Sequence, residues 1–273
     1  MILQTQGLTR RFGGLTALSN VDFAVPRGSV RAIIGPNGAG KTTLFNVITG
    51  ALPASEGSIL FDGQDISGCT PEQIARLGIS RTFQLTSVFS ELTARENVWI
   101  GINAMRGSVN PLSRFSKVRA LEREAEEVLD MVGLRERADV PAGQLSYGQQ
   151  RLLDIAVALS TKPRLLMLDE PTAGLGVKET AGMAALLKRL AADMSIILIE
   201  HDIEVVLEIA DSITVLYNGE LLLEGTPKEV TTDETVRRIY LGQRANIKGG
   251  AAGSTLSRAG ETGRDTGEIH APA

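Results

Sequence analysis

The segment of residues 30–50 restricts the fold of this chain more than any other part of its sequence. It opens with Val30–Ile34, a short apolar run rich in β-branched residues that predicts a buried strand. Three glycines interrupt this run, and apolar residues then return at helical spacing between positions 44 and 48. A strand, a glycine loop and the start of a helix are therefore predicted in succession, with Lys41 and Thr42 at the junction.

This junction carries the complete G-x-x-x-x-G-K-[ST] pattern in the context that the pattern requires. Backbone N–H groups surround a polyphosphate best where no Cβ intervenes, and a helix N-terminus adds unpaired N–H groups and a positive dipole. Lys41 is expected to bridge the β- and γ-phosphates, and the Thr42 hydroxyl is expected to bind Mg²⁺. A glycine-rich turn that binds nothing is the alternative to the nucleoside triphosphate site that the pattern predicts. The predicted phosphate loop comprises Gly35, Pro36, Asn37, Gly38, Ala39, Gly40, Lys41, Thr42 and Thr43.

Composition limits both the size of the fold and its partners. A length of 273 residues suits one large α/β domain with an insert, and 43% hydrophobic residues are ample for its core. A net charge of −4 and a pI near 5.4 provide no basic surface, so nucleic acid is not expected as a partner. The single cysteine, Cys69, excludes an internal disulfide and fits a reducing compartment.

The sequence contains no apolar run that approaches the ~20 residues needed to span a bilayer. The N-terminus also lacks the charged-then-apolar layout of a signal peptide. We therefore expect a soluble, cytoplasmic chain whose membrane association comes through a partner.

Two kinds of strand are predicted along the chain. Extended runs at residues 2–8, 18–25 and 58–61, separated by glycine turns, favour a small antiparallel sheet. Continuous apolar runs at 165–168 and 195–199 alternate with helical segments, which indicates a parallel sheet covered on both faces. The predicted fold is therefore an α/β core of the P-loop NTPase type with an antiparallel β subdomain.

Residues 86–160 hold long helical patterns, and we interpret them as a helical subdomain inserted in this core. Residues 1–242 then form one domain, and residues 243–273, which are poor in large apolar side chains, are predicted to be a disordered tail. The remaining predicted elements are a helix at 71–77 capped by Thr70, a strand at 79–83, helices at 118–132, 151–160 and 178–192, and a hairpin over 213–223 with a type I′ turn at Asn218 and Gly219.

Asp169 and Glu170 end the apolar strand that begins at position 165. Behind a phosphate loop, such an aspartate binds Mg²⁺ from the side opposite Thr42. Glu170 is then placed to act as the general base that polarises an attacking water. A solvated acidic pair before a proline turn at Pro171 is the alternative interpretation.

Residues 145–150 read Leu-Ser-Tyr-Gly-Gln-Gln and decide the family. They resemble the Leu-Ser-Gly-Gly-Gln signature of ATP-binding-cassette (ABC) ATPases, and they precede the acidic strand as they do in that family. The resemblance covers residues 1–242 and implies that Ser146, Gly148 and Gln149 contact the γ-phosphate of an ATP bound by a second subunit. Tyr147 departs from the commonest residue at its position, and taken alone the motif is also compatible with an ordinary helix cap.

Three more positions fit the same family. Gln84 resembles the glutamine that senses Mg²⁺ and the attacking water, and His201 resembles the switch histidine that contacts the γ-phosphate. Phe12 matches the aromatic residue that stacks on adenine, although a core phenylalanine is equally compatible with its position. Gly176 departs from the family, because many members have an aspartate there, and this departure questions the usual role of the loop over residues 173–176.

Several local runs are similar to the ATPase subunits of importers for branched-chain amino acids. The resemblance implies an ATP- and Mg²⁺-dependent ATPase that pairs with a second ABC ATPase subunit, identical or different. It also implies permease subunits that insert a helix into a groove between Gln84 and Trp99, an indirect link to a solute-binding protein, and a position at the cytoplasmic face of the inner or plasma membrane. These runs are residues 10–15, 80–84, 90–93 and 240–242.

Other functions remain open at this point. An importer ATPase for urea or amide solutes is a neighbouring alternative. A soluble ABC ATPase acting on nucleic acid or the ribosome would be expected to carry two cassettes or a long coiled-coil insert, and this chain has neither pattern. A P-loop kinase provides no reason for the segment at 146–149.

Overall fold

The computed structural model describes residues 1–82, 88–106 and 114–239, without the side chains of residues 106 and 114–119. Residues 1–233 form one compact unit. A second unit follows from residue 234, and its described part, residues 234–239, is helical. The predicted domain end at 242 and the predicted tail lie outside the described residues, so both stay predictions.

The larger sheet has six strands in the order β10-β9-β3-β8-β7-β6. Neighbours from β9 to β6 are parallel, and only β10 pairs antiparallel, with β9. Every residue of β3, β7 and β8 is buried, because helices cover both faces of a parallel sheet. These strands are β3 (Val30–Ile34), β6 (Ile79–Arg81), β7 (Leu165–Asp169), β8 (Ser195–Ile199), β9 (Ser212–Tyr217) and β10 (Glu220–Gly225).

The smaller sheet is antiparallel, with four strands in the order β2-β1-β4-β5. Its first two strands run on to the turn at Gly13 and Gly14, further than predicted, because irregularities in their register absorb residues that break the apolar alternation. Phe23 and Phe61 join Phe45 of the first helix in one core that both sheets share. The strands are β1 (Leu3–Phe12), β2 (Leu15–Val25), β4 (Glu56–Phe61) and β5 (Gln64–Asp65).

Helices connect and cover the strands of the larger sheet. The second helix begins where predicted, since Thr70 and Gln73 form a capping box, and it ends at Gly78 in the left-handed conformation with φ of 103°. Helices α3 to α5 fall within the predicted insert, whose exact bounds stay a prediction. The helices are α1 (Lys41–Ile48), α2 (Pro71–Leu77), α3 (Ala94–Arg106), α4 (Arg114–Met131), α5 (Tyr147–Leu159), α6 (Val177–Leu190), α7 (Ile203–Ile209) and α8 (Pro227–Thr232), with 3₁₀ turns at Arg135–Arg137 and Ala142–Gln144.

The predicted hairpin of β9 and β10 supports the phosphate loop from behind. Asn218 and Gly219 both have positive φ, at 51° and 81°, as the type I′ turn requires. The Gly219 N–H donates to the Ala39 carbonyl at 3.0 Å, and the Gly219 carbonyl accepts from the Ser19 N–H at 2.9 Å. The turn therefore links the phosphate loop to β2.

In the described parts of the chain, none of the helices combines the length and the apolar character that a membrane crossing requires.

Candidate nucleotide-binding site

The phosphate loop joins the end of β3 to the start of α1, which begins at Lys41. Gly38 and Gly40 adopt left-handed conformations, with φ of 80° and 103°. Gly35 is needed for a different reason, because a Cβ there would lie 2.3 Å from the Leu216 carbonyl oxygen. Strand packing and loop geometry therefore both require glycine along this segment.

Lys41 is buried beneath the loop that it serves. Its Nζ donates to the carbonyl oxygens of Gly35 at 2.7 Å and Pro36 at 3.0 Å. Burial lowers the pKa of Lys41, and the nearby carboxylates of Glu170 and Asp169 oppose that change. The side chain is thus held by the loop carbonyls, with two acidic residues near enough to favour its charged form.

A cleft of about 410 Å³ opens over the loop. It brings Phe12, from the end of β1, together with the phosphate loop, Glu170 and His201. Phe12 is 42% exposed, and the Arg10 guanidinium lies 4.5 Å from its ring centroid. The aromatic face is therefore on the surface of the cleft rather than in the core. The predicted loop residues that line this cleft are Asn37, Gly38, Ala39, Gly40, Lys41, Thr42 and Thr43.

Asp169 ends β7 and is almost completely buried. Its Oδ2 accepts from Arg81 Nη2 at 3.1 Å, and Arg81 Nη1 also donates to Asn46 Oδ1 at 2.5 Å. Burial raises the pKa of Asp169, while the Arg81 charge acts in the opposite direction. Arg81 lies in the run at 80–84 that resembles the importer ATPases, but no role was predicted for it from the sequence.

Glu170 and His201 face each other across the ends of β7 and β8. Glu170 Oε1 lies 2.8 Å from His201 Nε2. Glu170 has a left-handed backbone, with φ of 50°, and its N–H donates to the Ile199 carbonyl at 2.9 Å. This backbone is uncommon for a residue with a long side chain, and strained positions of this kind occur often at active sites.

Helix α5 begins at Tyr147, four residues earlier than the predicted start at Arg151, and Ser146 is its N-cap. The reason is a capping box, in which Ser146 Oγ accepts from the Gln149 N–H at 3.3 Å and Gln149 Oε1 accepts from the Ser146 N–H at 3.0 Å. Ser146, Gly148 and Gln149 line a second cleft, of about 660 Å³, together with residues of α6. The structure does not bring them to the cleft over Lys41 in this chain.

The two departures from the family pattern lie close together. Tyr147 packs on the loop before α6, since a Cβ at Gly174 would lie 3.1 Å from its ring, and its hydroxyl accepts from Arg151 at 2.8 Å. The Gly176 N–H donates to Glu179 Oε2 at 3.0 Å, while a Cβ at Gly148 would lie 2.5 Å from Glu179 Oε1. Both departures therefore belong to one contact between α5 and α6.

Gln84 was predicted from the sequence as a site residue, and Glu200 was not. Gln84 lies outside the described residues, as does the predicted end of its strand at position 83; β6 itself ends at Arg81, earlier than predicted. Glu200, which sequence analysis passed over, is buried next to His201. A carboxylate between the apolar run at 196–199 and a histidine was the signal that could have revealed it.

A family profile described as "ABC transporter" matches residues 18–173 of the chain. The chain belongs to the ABC transporter family. Among curated members of this family, the chain is 43% identical over 254 residues to the high-affinity branched-chain amino acid transport ATP-binding protein BraF of Pseudomonas aeruginosa, covering 89% of this chain and 98% of BraF. It is 40% identical over 251 residues to LivG of Escherichia coli strain K12, covering 89% and 98% respectively, and that protein's name describes the same transport role.

Solved structures of ABC transporter cassettes agree with this membership. The ADP conformation of the cassette MJ1267 matches with a TM-score of 0.79 and 35% identity, over 88% of this chain and 98% of that one. A dimeric post-hydrolysis structure of the cassette MJ0796, bound to ADP and Pi, matches with a TM-score of 0.71 and 28% identity, over 82% and 98%. The predicted fold and the resemblance to ABC ATPases are confirmed. This ABC transporter subunit is a nucleotide-binding ATPase of a transport system.

Proposed function

We propose that this chain hydrolyses ATP to drive the uptake of branched-chain or related amino acids through permease subunits. The observation that carries the solute class is the 43% identity to BraF across nearly the full length of both chains. In this proposal, solute specificity belongs to the permease subunits and to a solute-binding protein.

ATP binds in the cleft over the phosphate loop. Its phosphates accept from the loop N–H groups and from Lys41, and its adenine stacks on Phe12. The proposal is supported by the exposure of the Phe12 ring and by the position of Lys41 Nζ, which donates to two backbone carbonyls that a phosphate can replace.

The site also fits a divalent cation of the Mg²⁺ type. Thr42 in the first turn of α1 and Asp169 at the end of β7 offer a hydroxyl and a carboxylate, and Mg²⁺ prefers such oxygen ligands. Gln84 is proposed as a further ligand on the resemblance alone. When bound, the ion neutralises charge on the β- and γ-phosphates.

Hydrolysis requires a water in line with the γ-phosphorus. Glu170 accepts a proton from this water, the water oxygen bonds to phosphorus, and the bond from phosphorus to the β,γ-bridging oxygen breaks, which yields ADP and inorganic phosphate. His201 orients Glu170 and contacts the γ-phosphate. The 2.8 Å contact between these side chains supports the assignment.

A second ABC ATPase subunit, identical or different, completes each site with its own residues at the positions of Ser146, Gly148 and Gln149. Support comes from the separation of these residues from the cleft over Lys41 and from the N-terminus of α5, a 13-residue helix whose dipole favours an anion. The dimeric MJ0796 structure provides a precedent.

Permease subunits are proposed to dock near Trp99, which is 36% exposed, and near Phe89, which is 58% exposed. Phe89 and Trp99 lie at the described end of the predicted groove, whose other end at Gln84 is outside the described residues. The chain is then peripheral at the cytoplasmic face of the membrane.

Uptake by the host cell tests this function. Deletion of the gene is expected to abolish high-affinity uptake of labelled leucine, isoleucine or valine, and the intact chain, but not its Glu170→Gln variant, is expected to restore it. Unchanged uptake of these amino acids together with loss of urea or amide uptake would move the assignment to that solute class. Salt-sensitive binding of DNA or RNA by the purified chain would instead favour a role on nucleic acid.

A further inference from the structure

Glu200 is a buried carboxylate between the two segments that carry Glu170 and His201. It directly follows β8, and its exposed fraction is 3%. A buried carboxylate is costly unless hydrogen bonds compensate for the water that it has lost. Its partners therefore indicate what the carboxylate does.

One oxygen of Glu200 bonds the segment that follows Glu170, and the other bonds the backbone of the adjacent residue, His201. Oε1 accepts from the Thr172 N–H at 3.0 Å and from the Thr172 hydroxyl at 2.7 Å. Oε2 accepts from the His201 N–H at 3.2 Å. Thr172 lies two residues after Glu170, so one side chain holds the backbone beside each of the two proposed reacting groups.

These contacts close a ring. The chain runs from Glu170 through Pro171 to Thr172, crosses to Glu200 through the carboxylate, continues to His201 and returns to Glu170 by the 2.8 Å side-chain contact. Without the carboxylate, two backbone N–H groups and one hydroxyl lose their acceptor. The bond from the Glu170 N–H to the Ile199 carbonyl still joins the two segments, but it does not involve the backbone of Thr172 or His201.

We propose that Glu200 is a positioning residue for ATP hydrolysis, which holds Glu170 and His201 at their working separation. The inference rests on the proposed catalytic roles of those two residues. Glu200 itself does not contact the reacting atoms. A shift of about 1 Å in a general base is enough to reduce a rate about a hundredfold, so the geometry of this ring bears directly on turnover.

Glu200→Gln tests the proposal because the amide keeps the shape of the side chain but has a single acceptor oxygen. In the full chain, we expect kcat to fall about tenfold to a hundredfold, with the affinity for a fluorescent ATP analogue within about twofold of the wild type. Glu204→Gln, which changes an exposed acidic residue nearby, is the matched control and leaves both quantities unchanged. Unchanged kcat in Glu200→Gln overturns the proposal, as does loss of nucleotide affinity in proportion to kcat.

Thr172 provides a second test that keeps the proposal falsifiable if Glu200→Gln does not fold. Thr172→Val removes the hydroxyl donor at constant shape and is expected to lower kcat severalfold, whereas Thr172→Ser retains the donor and restores it. Equal kcat for the valine and serine variants contradicts the proposal.

A combined variant separates positioning from an independent structural effect. Single-turnover phosphate release is expected to be no slower in the His201→Ala, Glu200→Gln double variant than in His201→Ala alone, because the contact to be positioned is already absent. Additive losses overturn the inference. If Glu170→Gln itself retains normal hydrolysis, the proposed function fails instead, and the two failures are distinguished in this way.

Discussion

His201 Nε2 and Glu170 Oε1 lie 2.8 Å apart, and this contact joins the carboxyl ends of β8 and β7. In parallel sheets the chemistry is commonly located at these ends, where loops from neighbouring strands converge. Lys41 reaches the same cleft from the neighbouring strand β3. Three adjacent strands therefore each deliver one charged or titratable group to a single cleft.

Glu170→Gln is expected to retain ATP binding and to lose turnover by about 10²- to 10⁴-fold, because the amide cannot accept the proton of the attacking water. Phosphate release and the affinity for a fluorescent ATP analogue measure the two effects separately. Glu208→Gln, on the exposed face of α7, serves as the control. Hydrolysis at the wild-type rate would remove Glu170 from the role of general base.

Lys41→Ala is expected to abolish measurable nucleotide binding. The variant lacks the positive side chain whose Nζ donates to the loop carbonyls of Gly35 and Pro36 and is proposed to contact the phosphates. Calorimetric titration with ATP measures this loss. Lys188→Ala is a suitable control because Lys188 is about half exposed and pairs with Glu208, away from the phosphate loop in the sequence. Near-normal affinity in Lys41→Ala would refute the phosphate-loop assignment.

Gly35→Ala is expected to reduce the free energy of unfolding by about 1–3 kcal/mol and to weaken ATP binding, because the new methyl group collides with the Leu216 carbonyl oxygen. Gly14→Ala adds the same methyl group where no atom lies within 4 Å. Denaturant unfolding and ATP titration of both variants check the prediction, and equal stability of the two variants would contradict it.

Arg81→Met is expected to destabilise the chain in a pH-dependent way. Burial already raises the pKa of Asp169 above its unfolded value, so this group contributes stability that is fully present below ~pH 4 and is lost as the pH rises through the folded pKa. Removing the opposing Arg81 charge raises that pKa further. The loss of stability is therefore small in acid and grows to about 3–5 kcal/mol at neutral pH.

Unfolding measured across this pH range tests the Arg81 prediction. Adding Asp169→Asn removes the carboxylate. The stability lost on changing Arg81 to Met is then expected not to vary with pH. Arg11→Met, which breaks an exposed pair with Glu56, provides a comparison that changes stability little at any pH. If the free energy of unfolding of Arg81→Met is lower than that of the wild type by the same amount at every pH, the ion pair is not the cause of the loss.

ATP is expected to bring Glu170→Gln chains together as dimers. If the second subunit is a different protein, that protein is supplied in the experiment. The γ-phosphate then collects donors from both subunits, and blocked hydrolysis preserves the contact. Light scattering with and without ATP measures the change in mass. Chains that stay monomeric under these conditions would contradict the proposed second-subunit role of Ser146.

Local signals predicted most elements correctly, because each signal lies within a few residues of what it predicts. The continuous apolar run of Val30–Ile34, the proline and glycine that bound α2, and the Asn218-Gly219 turn all act over such distances. The start of α5 was predicted too late because the helix was counted from Arg151, although the sequence had left open that the motif at Ser146 is a helix cap, which it is.

Interactions between distant residues could not be predicted in this way. Arg81 and Asp169 are separated by 88 positions, and Thr172 and Glu200 by 28. Each pair meets only because β6, β7 and β8 are neighbours in the larger sheet. The groups proposed to act on ATP were therefore predictable from local motifs, whereas the groups that hold them in place were not.

The hairpin turn at Asn218 and Gly219 has a consequence for how the protein folds during its synthesis on the ribosome. The phosphate loop emerges early in synthesis, yet its Ala39 carbonyl receives the Gly219 N–H only after about four-fifths of the chain has been made. A nascent chain that lacks this turn leaves the Ala39 carbonyl without its donor, so we expect the loop to reach its final geometry late in synthesis. Shortened products that end before the hairpin are therefore expected to bind ATP less tightly than the full chain.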